Sequence, residues 1–415
     1  MAKKIFILVI LTGVVFFSGC SISSLMGKKK PATPPQVKKG SIWKSVDGGT
    51  TFAPKITLEA PPVTTDVAAN EKEKAAVKPP EITSADILTI TFHPKDSNII
   101  YVGTVNNGIF KTVNGGELWK YIKFPPQKID SFTLDRNDPD KRMFASGVLG
   151  GVGKVFRTED GGENWKEAYS EPGQKTQVTS LSQHFKDTNV IFAGTSGGTV
   201  IKSTDGGQTW KNIGQTIDGP VTEIPFDATK KLTVYALSYG KKMYYSSNGG
   251  EKWIEWEVVK KEEIKALKDK ESKLRKEKNV GAADNLKKYI DTLEEKNRKE
   301  AMPSGIISLT ASPFISGTLY AGTKNGQFHR SVDYGKYWKK INIIESASKF
   351  PIRMVTVSYS NKNELAFVSG MAFYKSLNGG ETWAVTQIDA DRPVSVISYD
   401  PKDSKVLYLG IGRDK

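Results

Sequence analysis

A short motif that recurs seven times limits what this chain can fold into. Each copy reads Ser/Thr-x-Asp/Asn-x-Gly-x-x-aromatic, as in STDGGQTW at residues 203–210. Neighbouring copies lie about 45 residues apart, except across two longer gaps, and that spacing is the length of one four-stranded propeller blade. The central acids and amides of the seven copies are Asp47, Asn114, Asp160, Asp205, Asn248, Asp333 and Asn378.

The residue types of the motif predict a tight turn between two strands. Asp-Gly or Asn-Gly between β-like runs is the strongest short hairpin signal. The acid or amide can accept hydrogen bonds from backbone N–H groups further round the turn, and the preceding hydroxyl can close it from the other side. The final aromatic residue, usually Trp, is expected to begin the next strand and to bury a large apolar surface.

Three further strands are predicted upstream of each turn. In the first full unit they fall at residues 87–94, 99–104 and 108–111, which are apolar, β-branched or aromatic and are bounded by Gly, Asn and Asp. Each unit therefore reads strand, strand, strand, turn, strand. The six continuous blades are predicted at 84–125, 128–172, 176–216, 219–256, 303–345 and 350–389.

The two ends of the chain each supply half a unit. The C-terminal part has strand-like runs at 394–401 and 406–410 but no turn motif, whereas residues 42–52 have a strand and a turn motif with no strands before them. Joining the halves completes a seventh blade and removes the unpaired strand edges that would invite aggregation. We therefore predict an all-β fold, a seven-bladed β-propeller over residues 41–415 whose last blade is closed by both termini.

The N-terminus has the pattern of an export signal. Lys3-Lys4 precede the apolar run 5–17 and then Ser18-Gly19-Cys20, and the run is too short to span a bilayer comfortably. Cys20 is the sole cysteine, and residues 17–20 resemble a bacterial lipobox, which implies lipidation at Cys20. Residues 1–19 are read as a signal peptide and 20–40 as a flexible tether; an ordinary signal peptide with an incidental cysteine is the alternative.

Both long gaps contain an insertion. Residues 55–83 are rich in Pro, Glu and Lys, which predicts a disordered surface loop. Residues 257–302 are densely charged, with apolar residues at helical spacing and a turn signal at Asn279-Val280-Gly281, which predicts two antiparallel helices. Their apolar seam is thin, and it consists of Ile264, Leu267, Leu274, Leu286, Ile290 and Leu293. The hairpin is interpreted either as a decorative insertion or as an arm that binds a partner.

The net charge is +15, or +13 without the signal segment, and it comes mostly from lysine. A basic surface favours acidic proteins, anionic lipids or polyanionic glycans as partners. Nucleic acid is not expected, because the chain has an export signal and no nucleic-acid motif. No cofactor is expected, since the Gly-Gly pairs belong to the turn motifs. No metal site is indicated by the isolated histidines His93, His184 and His329.

Two kinds of hydrolase site have candidate residues in the sequence. A glycosidase needs two carboxyl groups facing each other across a cleft, and the candidates near ends of innermost strands are Asp130, Glu223 and Asp400, each of which could instead serve a turn or strand end. A sialidase needs a cluster of arginines, and the arginines considered for it are Arg136, Arg157, Arg330, Arg353 and Arg392. Neither set forms a recognisable constellation in the sequence, so no catalytic residue is assigned.

The turn motif resembles the Asp-box, or BNR repeat, of sialidases, xyloglucan-type glycosidases and sortilin-type receptors. Seven copies in phase, the split blade and the lipobox-like start make the chain most similar to the photosystem II assembly and stability factor family and its non-photosynthetic relatives. The resemblance implies a single seven-bladed propeller whose Asp-boxes are structural, lipid-anchored in some members, that binds membrane-protein intermediates. The arginine-rich binding patch of that family has no clear counterpart here, and the helical hairpin is a departure from it.

The sequence therefore favours a non-catalytic scaffold held in the bacterial cell envelope, on the outer face of the cytoplasmic membrane or in the outer membrane. Its expected partner is a membrane or envelope protein, bound by the blade-top loops and the mouth of the central channel. The alternative is a carbohydrate-active enzyme or a glycan-binding propeller. Carboxylates facing each other beside exposed aromatic residues at the channel mouth would favour that alternative.

Overall fold

A computed structural model describes residues 40–59, 82–126, 128–344 and 347–412. These residues form seven antiparallel sheets arranged as the blades of a propeller. The innermost strands of neighbouring blades contact one another around the ring, so they surround a central channel. The seven-bladed fold predicted from the repeat is confirmed.

The blades are numbered in chain order. Blades 1 to 3 consist of strands Ile87–Phe92, Ile100–Thr104, Ile109–Thr112 and Lys120–Ile122; Ser131–Leu134, Met143–Leu149, Val152–Thr158 and Lys166–Ser170; and Val178–Gln183, Ile191–Thr195, Val200–Ser203 and Lys211–Asn212. Blades 4 to 6 consist of Val221–Glu223, Val234–Ser238 and Met243–Ser246; Ile306–Ala311, Leu319–Thr323, Phe328–Ser331 and Lys339–Ile341; and Ile352–Val357, Leu365–Ser369, Ala372–Ser376 and Ala384–Gln387. A short 3-10 helix, Ala347–Lys349, precedes blade 6.

Blade 7 closes the ring as predicted. Its strands run in the order Ala53–Pro54, Ile42–Ser45, Leu407–Ile411 and Val394–Tyr399 from the rim to the channel. The first strand of the described chain thus pairs with the last one, with Trp43 opposite Leu409. The core lies between the blades, where the buried apolar residues of each sheet pack against those of the next.

The seven repeated turns share one hydrogen-bond pattern. In blade 3, Ser203 Oγ donates to Asp205 Oδ1 at 2.8 Å and accepts the N–H of Gly207 at 2.8 Å. Asp205 Oδ1 also accepts the N–H of Thr209 at 2.9 Å. The same three bonds occur in every other copy. Hydrogen bonds from Thr209 lower the pKa of Asp205 to about 2, so this acid stays charged and holds the turn.

Blade 4 departs from the predicted four strands. Its outermost strand is reduced to one bridge between Tyr245 and Ile254, because the chain enters a helix two residues later. Helix α1, Trp256–Lys276, and helix α2, Val280–Lys299, form the predicted hairpin. Asn279 caps α2, since its side chain accepts the N–H of Ala282. Ile290 is buried, and the other five residues of the predicted seam are half-buried.

The insertion predicted at 55–83 is ordered at both edges. The N–H of Trp119 donates to Thr57 O, its ring Nε1 donates to Lys55 O, and the N–H of Ile82 donates to Ile56 O. Residues 55–59 and 82–83 are therefore held against blades 7 and 1, contrary to the expectation of disorder there. Residues 60–81 lie outside the described part of the chain, as do the predicted signal peptide, Cys20 and nearly all of the tether.

Candidate functional site

The central channel is a continuous concave feature lined by the innermost strands. Three cavities follow one another along it and share lining residues. We call the side that bears the repeated turns the turn face, and the side that bears the loops between successive blades the connector face. The connector-face mouth has a volume of about 470 Å³, the middle about 350 Å³ and the turn-face mouth about 320 Å³.

The connector-face mouth combines apolar and charged groups. Val105, Pro220 and Tyr239 come from loops of blades 1 and 4, and Lys128 and Asp130 come from the segment that leads into blade 2. Lys128 Nζ lies 2.6 Å from Asp130 Oδ1, and the Asp130 side chain is only 7% exposed. An apolar recess with a few polar groups is the usual form of a binding site, and this mouth is the one in the channel that has it.

Two of the three candidate carboxylates line the channel together with one candidate arginine. Asp130, Glu223 and Arg353 all border the middle cavity. They come from blades 2, 4 and 6, and the first and last are more than 200 positions apart in the sequence, so only closure of the ring brings them to one space. Glu223 Oε2 accepts the N–H of Leu309 from the next blade at 2.6 Å. This carboxylate therefore joins blade 4 to blade 5.

Asp400, the third candidate, belongs to a structural position and not to the channel wall. Its Oδ1 accepts the N–H of Lys402 at 2.8 Å and the hydroxyl of Ser97 at 2.6 Å, and the residue is buried. It is the first residue after the innermost strand of blade 7, where its side chain closes the turn. Its contacts oppose a catalytic role and agree with the alternative, a structural role in the turn.

The same capping position exists in all seven blades. In every case a buried side chain accepts one or two backbone N–H groups two or three residues ahead. It directly follows the innermost strand in six blades, and in blade 4 it follows the bridge residue Phe226. The seven residues are His93, Asp135, His184, Asp227, Ser312, Ser358 and Asp400. Sequence reasoning found that the two histidines are equivalent but missed the other five residues. The seven side chains are of three residue types, and what they have in common is a hydrogen-bond acceptor at the same place.

The capping contacts fix the protonation of both histidines. Nδ1 of His184 accepts the N–H groups of Lys186 and Asp187, so the ring proton must be on Nε2, which lies 3.0 Å from Lys231 O in the next blade. Burial lowers the pKa of His184 and of His93. Both rings are therefore neutral structural groups at pH 7. His329 is on a different strand, and burial lowers its pKa to about 4.

The five candidate arginines do not converge. Arg136 borders the turn-face mouth and Arg353 the middle cavity. Arg157 pairs with Glu159 at 2.7 Å, and Arg330 lies over the ring of Tyr320. These positions do not supply the cluster that a sialidase requires.

Arg392 instead forms hydrogen bonds across the place where the two ends of the chain meet, and we call this contact the clasp. Its guanidinium donates to Asp86 Oδ1 at 2.5 Å and to the carbonyl oxygens of Thr83, Ser84 and Ala85. It also reaches Ser41 Oγ at 3.5 Å. The side chain is 15% exposed, so this arginine serves closure of the propeller.

A basic residue directly before the turn links neighbouring blades in several places. Lys44 donates to Gly115 O, Lys202 to Gly249 O and Lys375 to Gly48 O, each in the turn of the following blade. Some of these cations also lie over an aromatic ring of the adjacent strand, as Lys44 does over Tyr408 and Lys202 over Phe192. The equivalent residue of blade 4 is Tyr245, which breaks the pattern beside the hairpin.

The channel is suited to binding. Its wall carries many Ser and Thr hydroxyls, with carboxylates and cations that already contact other residues. Among the described residues, no group of three or more His, Cys, Asp or Glu side chains is placed to hold a metal. In the same part of the chain, neither helix is apolar enough to span a bilayer.

Comparison with known proteins places the chain among propellers of differing function. Residues 138–267 match the family described as the DUF6242 beta propeller domain. An oligoxyloglucan-reducing end-specific xyloglucanase from Emericella nidulans is 24% identical in a match of 200 residues that covers 41% of this chain and 25% of that protein. The chain thus spans about a quarter of the length of this curated relative.

Solved structures of two kinds share the fold. The GH74 xyloglucanase of Xanthomonas campestris is 15% identical with a TM-score of 0.56, over 79% of this chain and 51% of that one. YCF48 bound to D1 peptide is 15% identical with a TM-score of 0.54, over 79% and 92%. YCF48 from Cyanidioschyzon merolae is 16% identical with a TM-score of 0.52, over 79% and 95%. At these identities the likeness shows the propeller fold, which serves a glycoside hydrolase in one case and a peptide-bound protein in the other.

Proposed function

We propose that this protein is a non-catalytic binding propeller that assists the assembly or stability of a membrane or envelope protein complex. One observation carries the proposal: each of the three candidate carboxylates already has a structural partner. Asp130 pairs with Lys128, Glu223 accepts a backbone N–H of the next blade, and Asp400 caps a turn. A glycosidase needs one carboxyl to protonate the leaving group and another to act as nucleophile or base. The structural contacts of these three carboxylates are unfavourable to either catalytic role.

The connector-face mouth is the proposed contact surface for the protein partner. It offers an apolar recess about 470 Å³ in volume beside charged groups, on loops held by a rigid ring. The likeness to YCF48, which is known bound to a peptide and is covered over 92% of its chain, supports a peptide segment of the partner as the ligand.

Crosslinking of the full chain in its native membrane, followed by pull-down, tests this function. The variant Val105→Lys places a charge at the connector-face mouth, and Val113→Lys makes the same change on an exposed turn of the same blade at the other face. Recovery of a defined protein complex that is lost with Val105→Lys and kept with Val113→Lys is the expected result. Equal recovery with both variants would exclude this mouth as the contact surface.

A glycan is the second candidate ligand, and the sequence match to a xyloglucanase favours it. Under this alternative, the protein would bind or cleave xyloglucan oligosaccharides, and Asp130→Asn or Glu223→Gln would abolish that binding or cleavage. Cleavage by the wild-type protein that both variants lack would overturn the non-catalytic proposal. Calorimetric titration and product chromatography give the two readouts.

Lipid anchoring at Cys20 is proposed together with this function. The apolar run and the small residues before the cysteine support it. Metabolic labelling with palmitate should mark the wild-type protein and leave Cys20→Ser unmarked. Labelling of both proteins, or of neither, would contradict attachment through this cysteine.

A further inference from the structure

The hairpin is fastened to the propeller at a specialised junction between blades 4 and 5. Trp256, the first residue of α1, stacks on Tyr245 with ring centroids 5.4 Å apart and donates its Nε1–H to Tyr334 O at 2.8 Å. Tyr337 of the blade 5 turn donates its hydroxyl to Asn297 Oδ1 of α2. The N–H of Trp338 donates to Glu300 O. Both helices are therefore fixed at their base.

Cations surround Tyr337 at this base. Lys260 Nζ of α1 lies 4.6 Å and Lys296 Nζ of α2 lies 4.1 Å from the ring centroid. Lys260 is 2% exposed and pairs with Glu257 at 2.8 Å. Such buried, paired contacts hold a hairpin in one orientation. With 21 residues, α1 extends about 30 Å from the junction.

One broad face of the hairpin is rich in cations that lack an ion-pair partner. Helical periodicity places Lys261, Lys265 and Lys276 on one flank of α1, and Lys287 and Arg298 on the matching flank of α2. All five are exposed, and none forms an ion pair with another described residue.

Contacts between the helices confirm that these two flanks lie on the same side. Lys268 pairs with Glu294 at 2.8 Å and Arg275 with Asp284 at 2.9 Å along this side. Asp269 on α1 and Asp291 on α2 are the acids on it that form no ion pair with a described residue, so cations still outnumber acids on this side. The opposite broad side includes Glu263 and Lys296, which contact the propeller through Lys336 and Tyr337. We call the first side the basic face, and it is turned away from the propeller contacts.

We propose that the basic face binds the anionic surface of a phospholipid bilayer. Its cations are mostly lysines on flexible stems, spread along a rod and not gathered in a pocket. Protein interfaces are depleted of lysine and are built around aromatic and arginine anchors, but Tyr289, the exposed aromatic residue of the hairpin, lies on the opposite side. Juxtaposed lysines attract anionic headgroups without such anchors. This inference goes beyond the proposed function and does not require a protein partner.

Sedimentation with vesicles tests the inference. The probes are vesicles of phosphatidylglycerol mixed with phosphatidylcholine, and vesicles of phosphatidylcholine alone. Every sample is the full chain carrying Cys20→Ser, so that the N-terminal segment contributes equally to all. The hairpin variant combines Lys261→Gln, Lys265→Gln, Lys276→Gln and Lys287→Gln, because glutamine is a good helix former.

A matched control makes the same change of charge on the propeller. It combines Lys120→Gln, Lys166→Gln, Lys211→Gln and Lys362→Gln, which are exposed and form no ion pair with described residues. Circular dichroism and urea denaturation establish that both variants keep the fold. The assay contains no protein partner, so its failure is distinguishable from failure of the pull-down.

We expect the Cys20→Ser chain with an unchanged hairpin to prefer anionic vesicles. The hairpin variant should bind them at least tenfold more weakly, since each lysine near such a surface contributes about fivefold to the affinity. The control variant should bind anionic vesicles less than about threefold more weakly than the unchanged propeller. Raised salt should remove the difference in affinity between the variants, because it screens the attraction between lysines and anionic headgroups. Equal losses in the two variants would mean that net charge alone acts, and the proposal would be wrong. Absence of any preference for anionic vesicles would overturn it as well and would leave an acidic protein as the occupant of the face.

Discussion

Replacing His184 by alanine should lower the free energy of unfolding by about 2 to 4 kcal/mol. The substitution removes the acceptor of two backbone N–H groups, from Lys186 and Asp187, and the link from Nε2 to Lys231 O of the next blade. A donor left unsatisfied in a buried site costs about 1 to 3 kcal/mol. The ring also packs edge-on against Phe226 at 5.1 Å, and that contact is lost as well.

The repeat itself supplies the control. Asp135 and Asp227 occupy the same position in other blades and accept both equivalent N–H groups, and Asp400 accepts the first of them. His184→Asp should therefore keep the cap and lose only the contacts to blade 4, at a cost of about 1 to 2 kcal/mol. Urea denaturation followed by tryptophan fluorescence measures both variants. A His184→Ala protein within about 0.5 kcal/mol of wild type, or no more affected than His184→Asp, would refute the capping argument.

The cap also predicts a dependence of stability on pH. Burial lowers the pKa of His184 in the folded protein, so the unfolded chain binds a proton more readily. Stability therefore falls as the pH drops below about 6.5, the ordinary pKa of histidine, and the loss is complete below the lowered folded value. His184→Asp lacks this contribution, so its stability should decline less than that of wild type between pH 7.5 and pH 5.5, which denaturation at the two pH values would measure.

Three other pairs of substitutions test the ring and the junction by urea denaturation. Tyr334 has a φ of 62° where the other six turns have glycine, so Tyr334→Gly should be more stable than Tyr334→Ala by about 1 kcal/mol, and the reverse order would exclude strain at this residue. Arg392→Met should lower the free energy of unfolding by about 2 to 3 kcal/mol. Arg392→Lys should restore less than half of that loss, because lysine lacks the planar fork that reaches several acceptors; full restoration would mean that charge alone matters. Ser376→Ala should lower the free energy of unfolding by about 1 to 3 kcal/mol because the buried N–H of Gly380 loses its acceptor. Asn378→Asp should leave the stability unchanged. Unchanged stability of Ser376→Ala would contradict the shared role of the turn hydroxyl.

Local pattern explains what the sequence predicted well. The seven turns are defined by residues within a span of eight, so their geometry follows from hydroxyl, acid or amide, and glycine chemistry alone. Blade number and closure follow from counting them and from the half units at the two ends. The seam of the hairpin follows from helical periodicity, which Ile290 and its neighbours obey.

Features that depend on contacts between blades could not be predicted in this way. The caps are His, Asp or Ser, so no residue type marks the position. The clasp by Arg392 reaches residues 83–86, about 300 positions earlier in the chain. One channel brings together Asp130, Glu223 and Arg353, and it does so because of where the ring places each innermost strand. In each case the deciding partner lies in another blade, where a pattern along the chain has no information.

The departures from the repeat are concentrated at one junction, which indicates that the hairpin is integrated into the fold. Between blades 4 and 5 the outermost strand is reduced to a bridge, Tyr245 replaces the usual cation and Tyr334 replaces a glycine despite its left-handed backbone. All three changes meet at Trp256, which contacts both tyrosines. A decorative loop would require none of them, since an ordinary blade tolerates insertions at its exposed turns. Local rules that are broken together, with compensating contacts, are characteristic of functional positions, and the basic face is what these contacts hold in place.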